Sequence, residues 1–217
     1  MIKLSESFDY KKLIRFTLPT IIMTIFTSIY GVVDGLFVSN FVGSDAFASI
    51  NLIMPFTMIL GAVGLMFGTG GGALVAKTLG EKDKSKANRY FSVIIRIAII
   101  VGITLAIIGF IFMKQISIFL GATGQLIDMC VLYGRILMVS TTFLLLQNCF
   151  QSFIIVEEKP KLGLIFSIIA GVSNMILDFF MIFVFRLGIA GAAIATMLSQ
   201  IIGGLIPLIY FFDFVIK

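Results

Sequence analysis

An all-α integral membrane protein, a bundle of six transmembrane helices, is the fold class this sequence predicts, and three observations predict it. Hydrophobic residues make up 59% of the 217-residue chain and charged residues only 12%, against about 45–50% and 25% in soluble domains. Mean hydropathy is +1.14. The apolar residues fall into six windows, each long enough to cross a hydrocarbon core with about 20 residues rising 1.5 Å apiece.

The windows, in order, are Phe16 to Val38, Leu52 to Ala76, Phe91 to Met113, Leu126 to Ile154, Leu162 to Phe185 and Ile189 to Phe212. The first follows Lys3, Lys11, Lys12 and Arg15 but is too long for the apolar region of a signal peptide, so it is expected to stay as a membrane span. Pro19 in the first span, Pro55 in the second and Pro207 in the sixth each remove one backbone hydrogen bond and can bend their helices. Gly68-Thr69-Gly70-Gly71-Gly72 in the second span lacks the Gly-Lys-Ser/Thr ending of a phosphate-binding loop and is expected to serve close helix packing, as is the small-residue run from Gly188 to Ala193. Nothing outside the windows is large enough to form a separate soluble domain.

Counting Lys and Arg on alternate sides puts 13 of the 16 on the side that holds both chain ends, so both termini are expected in the cytoplasm. The net charge of +5 is explained by this topology rather than by nucleic acid. The absence of His removes Ser-His and Cys-His nucleophile pairs and His-bound zinc. Cys130 and Cys149 have no metal-type spacing and read as small buried apolar residues.

The informative anomaly is acid inside the spans, because an Asp near a helix centre costs about 2.5–3.5 kcal/mol on insertion scales. Asp34 lies in the first span and Asp178 in the fifth, with Asn174 one turn before it on the same face. Asp34 sits about 9 Å from the outer end of its helix, Asp178 about 12 Å and Thr196 of the sixth span about 10 Å. Three helices thus offer carboxylate, amide and hydroxyl oxygens in one layer, a donor set that suits a hard cation, and two close carboxyls can also hold a proton. Either Na⁺ or H⁺ fits such a site. Taken singly, each residue is equally compatible with a helix-end acid or an interhelical hydrogen bond. Arg135 reads as an interfacial anchor in reach of Asp128.

These residues resemble the multidrug and toxic compound extrusion (MATE) family of cation-coupled exporters. The resemblance rests on Leu18-Pro19, on Val33-Asp34-Gly35-Leu36-Phe37-Val38, on Gly43 with Ala46, and on Ala76-Lys77-Thr78-Leu79-Gly80-Glu81-Lys82-Asp83 leading to Ala87 and Arg89. Further matches are Asn174 to Asp178 and Gly188 to Thr196. The resemblance implies a twelve-helix antiporter of two six-helix lobes, of which residues 1–217 correspond to the N-terminal lobe. It implies a cation site at Asp34, Asn174, Asp178 and Thr196, a bending role for Pro19, no cofactor beyond the coupling ion, and export of organic, often cationic, compounds across the cell membrane. The second lobe is missing from this sequence, which leaves a fragment, a truncated product or a half that pairs with another lobe. Two other functions compete with this one. A lipid-linked oligosaccharide flippase of the same superfamily would need basic cavity residues, of which only Arg135 is available; a non-transporting membrane assembly subunit would be favoured if Asp34 and Asp178 lay far apart. A membrane enzyme ranks behind both, since no nucleophile with a plausible base is present.

Overall fold

The computed structural model describes residues 10–215; the lysines at positions 3 and 217 that enter the charge count lie outside them, as do the side chains of Lys11 and Lys12. Six helices follow one another: α1 (Tyr10–Phe41), α2 (Ser44–Gly80), α3 (Lys84–Phe119), α4 (Gln125–Val156), α5 (Pro160–Asp178) and α6 (Gly188–Val215). All six are long and apolar enough to cross a membrane. A π-helical stretch, Phe179–Val184, extends α5 directly beyond Asp178.

The helices overrun the apolar windows, because polar and charged residues continue the winding outside the hydrocarbon. α2 begins at Ser44 and ends at Gly80, and α3 begins at Lys84, where Asp83 Oδ1 caps it by accepting from the Lys86 N–H at 2.9 Å. The basic segment after the second span is therefore mostly helix end rather than loop. Short connections remain, turned by residues in the left-handed region: Gly43 at φ 118°, Lys82 at 62°, Glu158 at 61° and Arg186 at 53°.

α4 is the central post. It packs against α2, α3 and α6, while α1 leans mainly on α5, which in turn packs on α6. Half of the α4 span window is buried but only 6% of that of α1. The core forms two clusters stacked along α4. One gathers Val38, Ile53, Leu60, Met113, Leu137, Met138 and Ala193; the other gathers Ala98, Leu146, Phe150, Phe153 and Phe211.

Close approach of α2 to α4 explains the glycines of the second span. A Cβ at Gly64 would lie 2.5 Å from the Leu145 carbonyl oxygen, and one at Gly68 would lie 2.7 Å from that of Cys149. Gly70 faces open space, so the run serves packing at some positions only. At Gly191 a Cβ would meet the Met181 carbonyl oxygen at 2.8 Å, which seats α6 against the π-helical stretch. α1 continues through a buried Pro19, α2 through Pro55 and α6 through Pro207. Both cysteines are buried and free, with the Cys130 thiol 3.6 Å from the Ser49 carbonyl oxygen. Arg135 does not pair with Asp128: among the described residues no carboxylate comes within ion-pair distance of its guanidinium, which lies over the Phe110 ring at 5.2 Å. The two residues are seven apart on α4, about 10 Å along the axis, so sharing a face does not bring their charges together.

Candidate functional site

Four helices carry polar side chains into one enclosure. Asp34 comes from α1, Asn174 from α5, Thr196 from α6 and Asn148 and Gln151 from α4, while Asp178 of α5 is buried behind this lining and belongs to the wall of no cavity described here. Asp34, Asn174 and Thr196 line a cavity of about 160 Å³ together with Tyr30, Asn148 and Gln151. Asp178 has no exposed surface and Asn174 only 3%. The Asp34 and Asp178 carboxyls face each other within hydrogen-bonding reach.

That approach is chemically incomplete. A hydrogen bond between two carboxyls needs a proton on one of them. With both ionised, Asp34 Oδ1 and both Asp178 oxygens are buried without a hydrogen-bond partner. Buried polar atoms are nearly always satisfied, and an unpaired buried charge is costlier still. The oxygens therefore have the chemistry to hold a proton or a small hard cation, with the Asn174 amide and the Thr196 hydroxyl as neutral donors beside them.

Two tyrosines complete the surroundings and were not singled out from the sequence. The buried Tyr133 of α4 lines the larger cavity described below together with Asp34 and Thr196. Tyr30 lies one turn before Asp34 on α1, and that i−4 spacing was the available signal. The amides of α4 were also missed: Gln147, Asn148 and Gln151 all line the cavity. Three amides within five residues of an apolar span were the sign. Asn148 Nδ2 donates to the Gly61 carbonyl oxygen at 3.2 Å, and Gln200 Oε1 accepts from the Ser140 hydroxyl at 2.6 Å, so part of this polarity ties α4 to α2 and α6.

A second, larger cavity of about 900 Å³ opens between α1, α2 and α4, and it shares Tyr30, Asp34, Asn148 and Thr196 with the first. Its walls are mostly apolar, including Phe47, Met54, Met58 and Leu65. Asp34 stands where the two cavities meet. Pro19 lies on the same helix four turns before Asp34, away from both linings.

The family model described as MatE matches residues 19–180. The multidrug export protein MepA of Staphylococcus haemolyticus is 32% identical over 206 residues, covering 95% of this chain and 46% of the relative. MepA of Staphylococcus aureus strain MRSA252 is 31% identical over 202 residues, covering 93% and 45%. The chain thus spans about half the length of the curated relatives it matches. In fold it is similar to an outward-facing multidrug resistance MATE family transporter of the MOP superfamily, with a TM-score of 0.85 at 24% identity over 92% of this chain and 44% of that one. A MOP superfamily transporter from Pyrococcus furiosus gives the same TM-score, identity and coverage. Six membrane-spanning helices in that fold, and a family model matched over most of their length, make this chain a member of the MatE family of multidrug efflux transporters.

Proposed function

We propose that the chain is the N-terminal lobe of a cation-coupled antiporter that exports organic, often cationic, compounds, with Asp34, Asn174, Asp178 and Thr196 as the site of the coupling Na⁺ or H⁺. The observation that carries this reading is that the facing carboxyls of the half-buried Asp34 and the buried Asp178 hold three buried oxygens without a hydrogen-bond partner. A second six-helix lobe would cover the open side of the larger cavity, and both termini would face the cytoplasm.

Asp34 and Asp178 repel each other when both are ionised, and neutralisation removes the repulsion. α1 is the element free to respond, since it is the least buried span and rests chiefly on α5. The two helices approach closely there: a Cβ on Gly171 would lie 2.7 Å from the Phe26 ring and 2.9 Å from that of Tyr30. A shift of α1 on this seat, aided by the missing hydrogen bond at Pro19, reshapes the wall that Tyr30 and Asp34 give to the larger cavity. Ion occupancy and substrate occupancy then favour different positions of one helix, which is the requirement for coupling. The apolar wall of that cavity suits amphiphilic substrates, and an ionised Asp34 at its edge suits their positive charge.

The test is drug efflux by the lobe assembled with its second half. Asp34→Asn and Asp178→Asn should each abolish efflux with membrane insertion unchanged; efflux at the wild-type rate in either variant rejects the assignment.

A further inference from the structure

We infer that the groove between α3 and α4 is a binding site for one phosphatidylethanolamine molecule, its phosphate held by Arg135 and its ammonium by Asp128. The groove has a volume of about 330 Å³; Asp128 and Arg135 line it together with the apolar side chains Phe110, Leu132 and Val139. It faces away from the polar cavities and shares no lining residue with them.

Arg135 is the starting point. Its side chain is exposed on the outside of the bundle, and its Nε donates to the Phe110 carbonyl oxygen at 3.4 Å. That oxygen and the ring beneath satisfy a small part of a guanidinium with five donors. Among the described residues no carboxylate forms an ion pair with it. A cation on a lipid-facing surface draws its anion from the lipid, and a phosphate accepts the guanidinium fork in two parallel bonds.

Depth decides which phosphate group is within reach. α4 has 32 residues, about 48 Å, against a hydrocarbon core of about 30 Å, so about 9 Å protrudes at each end of a centred helix. Asp128, three residues into the helix, then lies in the headgroup layer, and Arg135, ten residues in, lies about 6 Å below the boundary. A long basic side chain spans that distance by snorkelling. Charge order along the groove, cation inside and carboxylate outside, matches the order of phosphate and ammonium in a zwitterionic lipid. An anionic headgroup without an amine would place its hydroxyls against the Asp128 carboxylate and gain no charge pair there. A choline headgroup offers no N–H to it.

Native mass spectrometry of the 217-residue chain with equal amounts of phosphatidylethanolamine, phosphatidylcholine and phosphatidylglycerol of identical acyl chains tests this. Wild type should retain one phosphatidylethanolamine about fivefold in preference to either competitor, the value of one charge contact near the membrane surface. Asp128→Asn should erase the preference over phosphatidylcholine, Arg135→Gln should lower retention of all three, and Arg135→Lys should keep most of it. A series of singly, doubly and triply N-methylated ethanolamine lipids on wild type needs no variant, and retention should fall along it. Equal retention of the three lipids, preference for phosphatidylglycerol, a flat methylation series, or retention unchanged by Arg135→Gln would each overturn the assignment.

Discussion

Asp178 is the residue on which most depends, because it is wholly buried and neither of its carboxylate oxygens has a hydrogen-bond partner. Such a group costs stability when ionised, so Asp178→Asn should leave thermal stability unchanged or raise it, by up to about 1–3 kcal/mol. The reverse holds for ligand response. Wild type should gain thermal stability on binding Na⁺ or on acidification, through preferential binding to the folded state, and both Asn variants should lose that gain. Tyr133→Phe removes a hydroxyl from a residue that shares a cavity wall with Asp34 and Thr196, and should weaken cation binding about fivefold, the worth of one hydrogen bond. Much of this site was legible in the sequence, because an acid in an apolar span stands out and helix rise converts its position into depth. Tyr30 was marked only by its i−4 spacing from Asp34, and Tyr133 was not legible, since tyrosine is ordinary in a membrane span. Nor was the distance between Arg135 and Asp128, where a shared helix face said nothing about reach.

At the scale of the helices, the account turns on how closely they approach. Gly64→Val places an isopropyl group, a Cβ and two methyls, against the Leu145 backbone, which cannot move aside as a side chain can. It should cost about 1–3 kcal/mol in thermal unfolding, whereas Gly70→Ala, with nothing within 4 Å of its Cβ, should cost little. At the opposite end of α4, Lys159 Nζ donates to Glu157 Oε1 at 2.7 Å and to the Tyr210 hydroxyl at 2.8 Å, tying the α4–α5 turn to α6. These two bonds hold the Lys159 ammonium above its ordinary value of 10.5, with burial opposing them. A raised lysine stabilises the fold fully below its ordinary value and loses that contribution as pH rises through the shifted one. Tyr210→Phe should therefore lower thermal stability by about 1 kcal/mol, with a gap from wild type that stays constant from neutral pH and narrows only above pH 10.5. Helix existence followed from the apolar windows, but the helix ends did not, because capping and charged residues extend winding past the hydrocarbon. The π-helical stretch after Asp178 was also invisible: Phe179 to Val184 is uniformly apolar, so a change of winding leaves no periodic trace.

For the whole molecule, the larger cavity is walled by α1, α2 and α4 together with Thr196 and Gln200 of α6. Its about 900 Å³ lies within the span of small-molecule sites, about 300–1,000 Å³. The family and the six-helix fold followed from motif order and hydropathy, whereas the meeting of two cavities at Asp34 needed the packing of α1 on α5. Efflux should require the second half that the relatives possess, so cells making this chain alone should stay as drug-sensitive as controls, and cells making both halves should not. The central claim, that Asp34 and Asp178 form one ion-responsive unit, is tested most directly by carbodiimide modification of Asp178, read by peptide mass spectrometry across pH and Na⁺ concentration. The account predicts labelling that rises on acidification or falls with added Na⁺, and that changes its pH dependence in Asp34→Asn. Labelling indifferent to pH, to Na⁺ and to Asp34→Asn would contradict it.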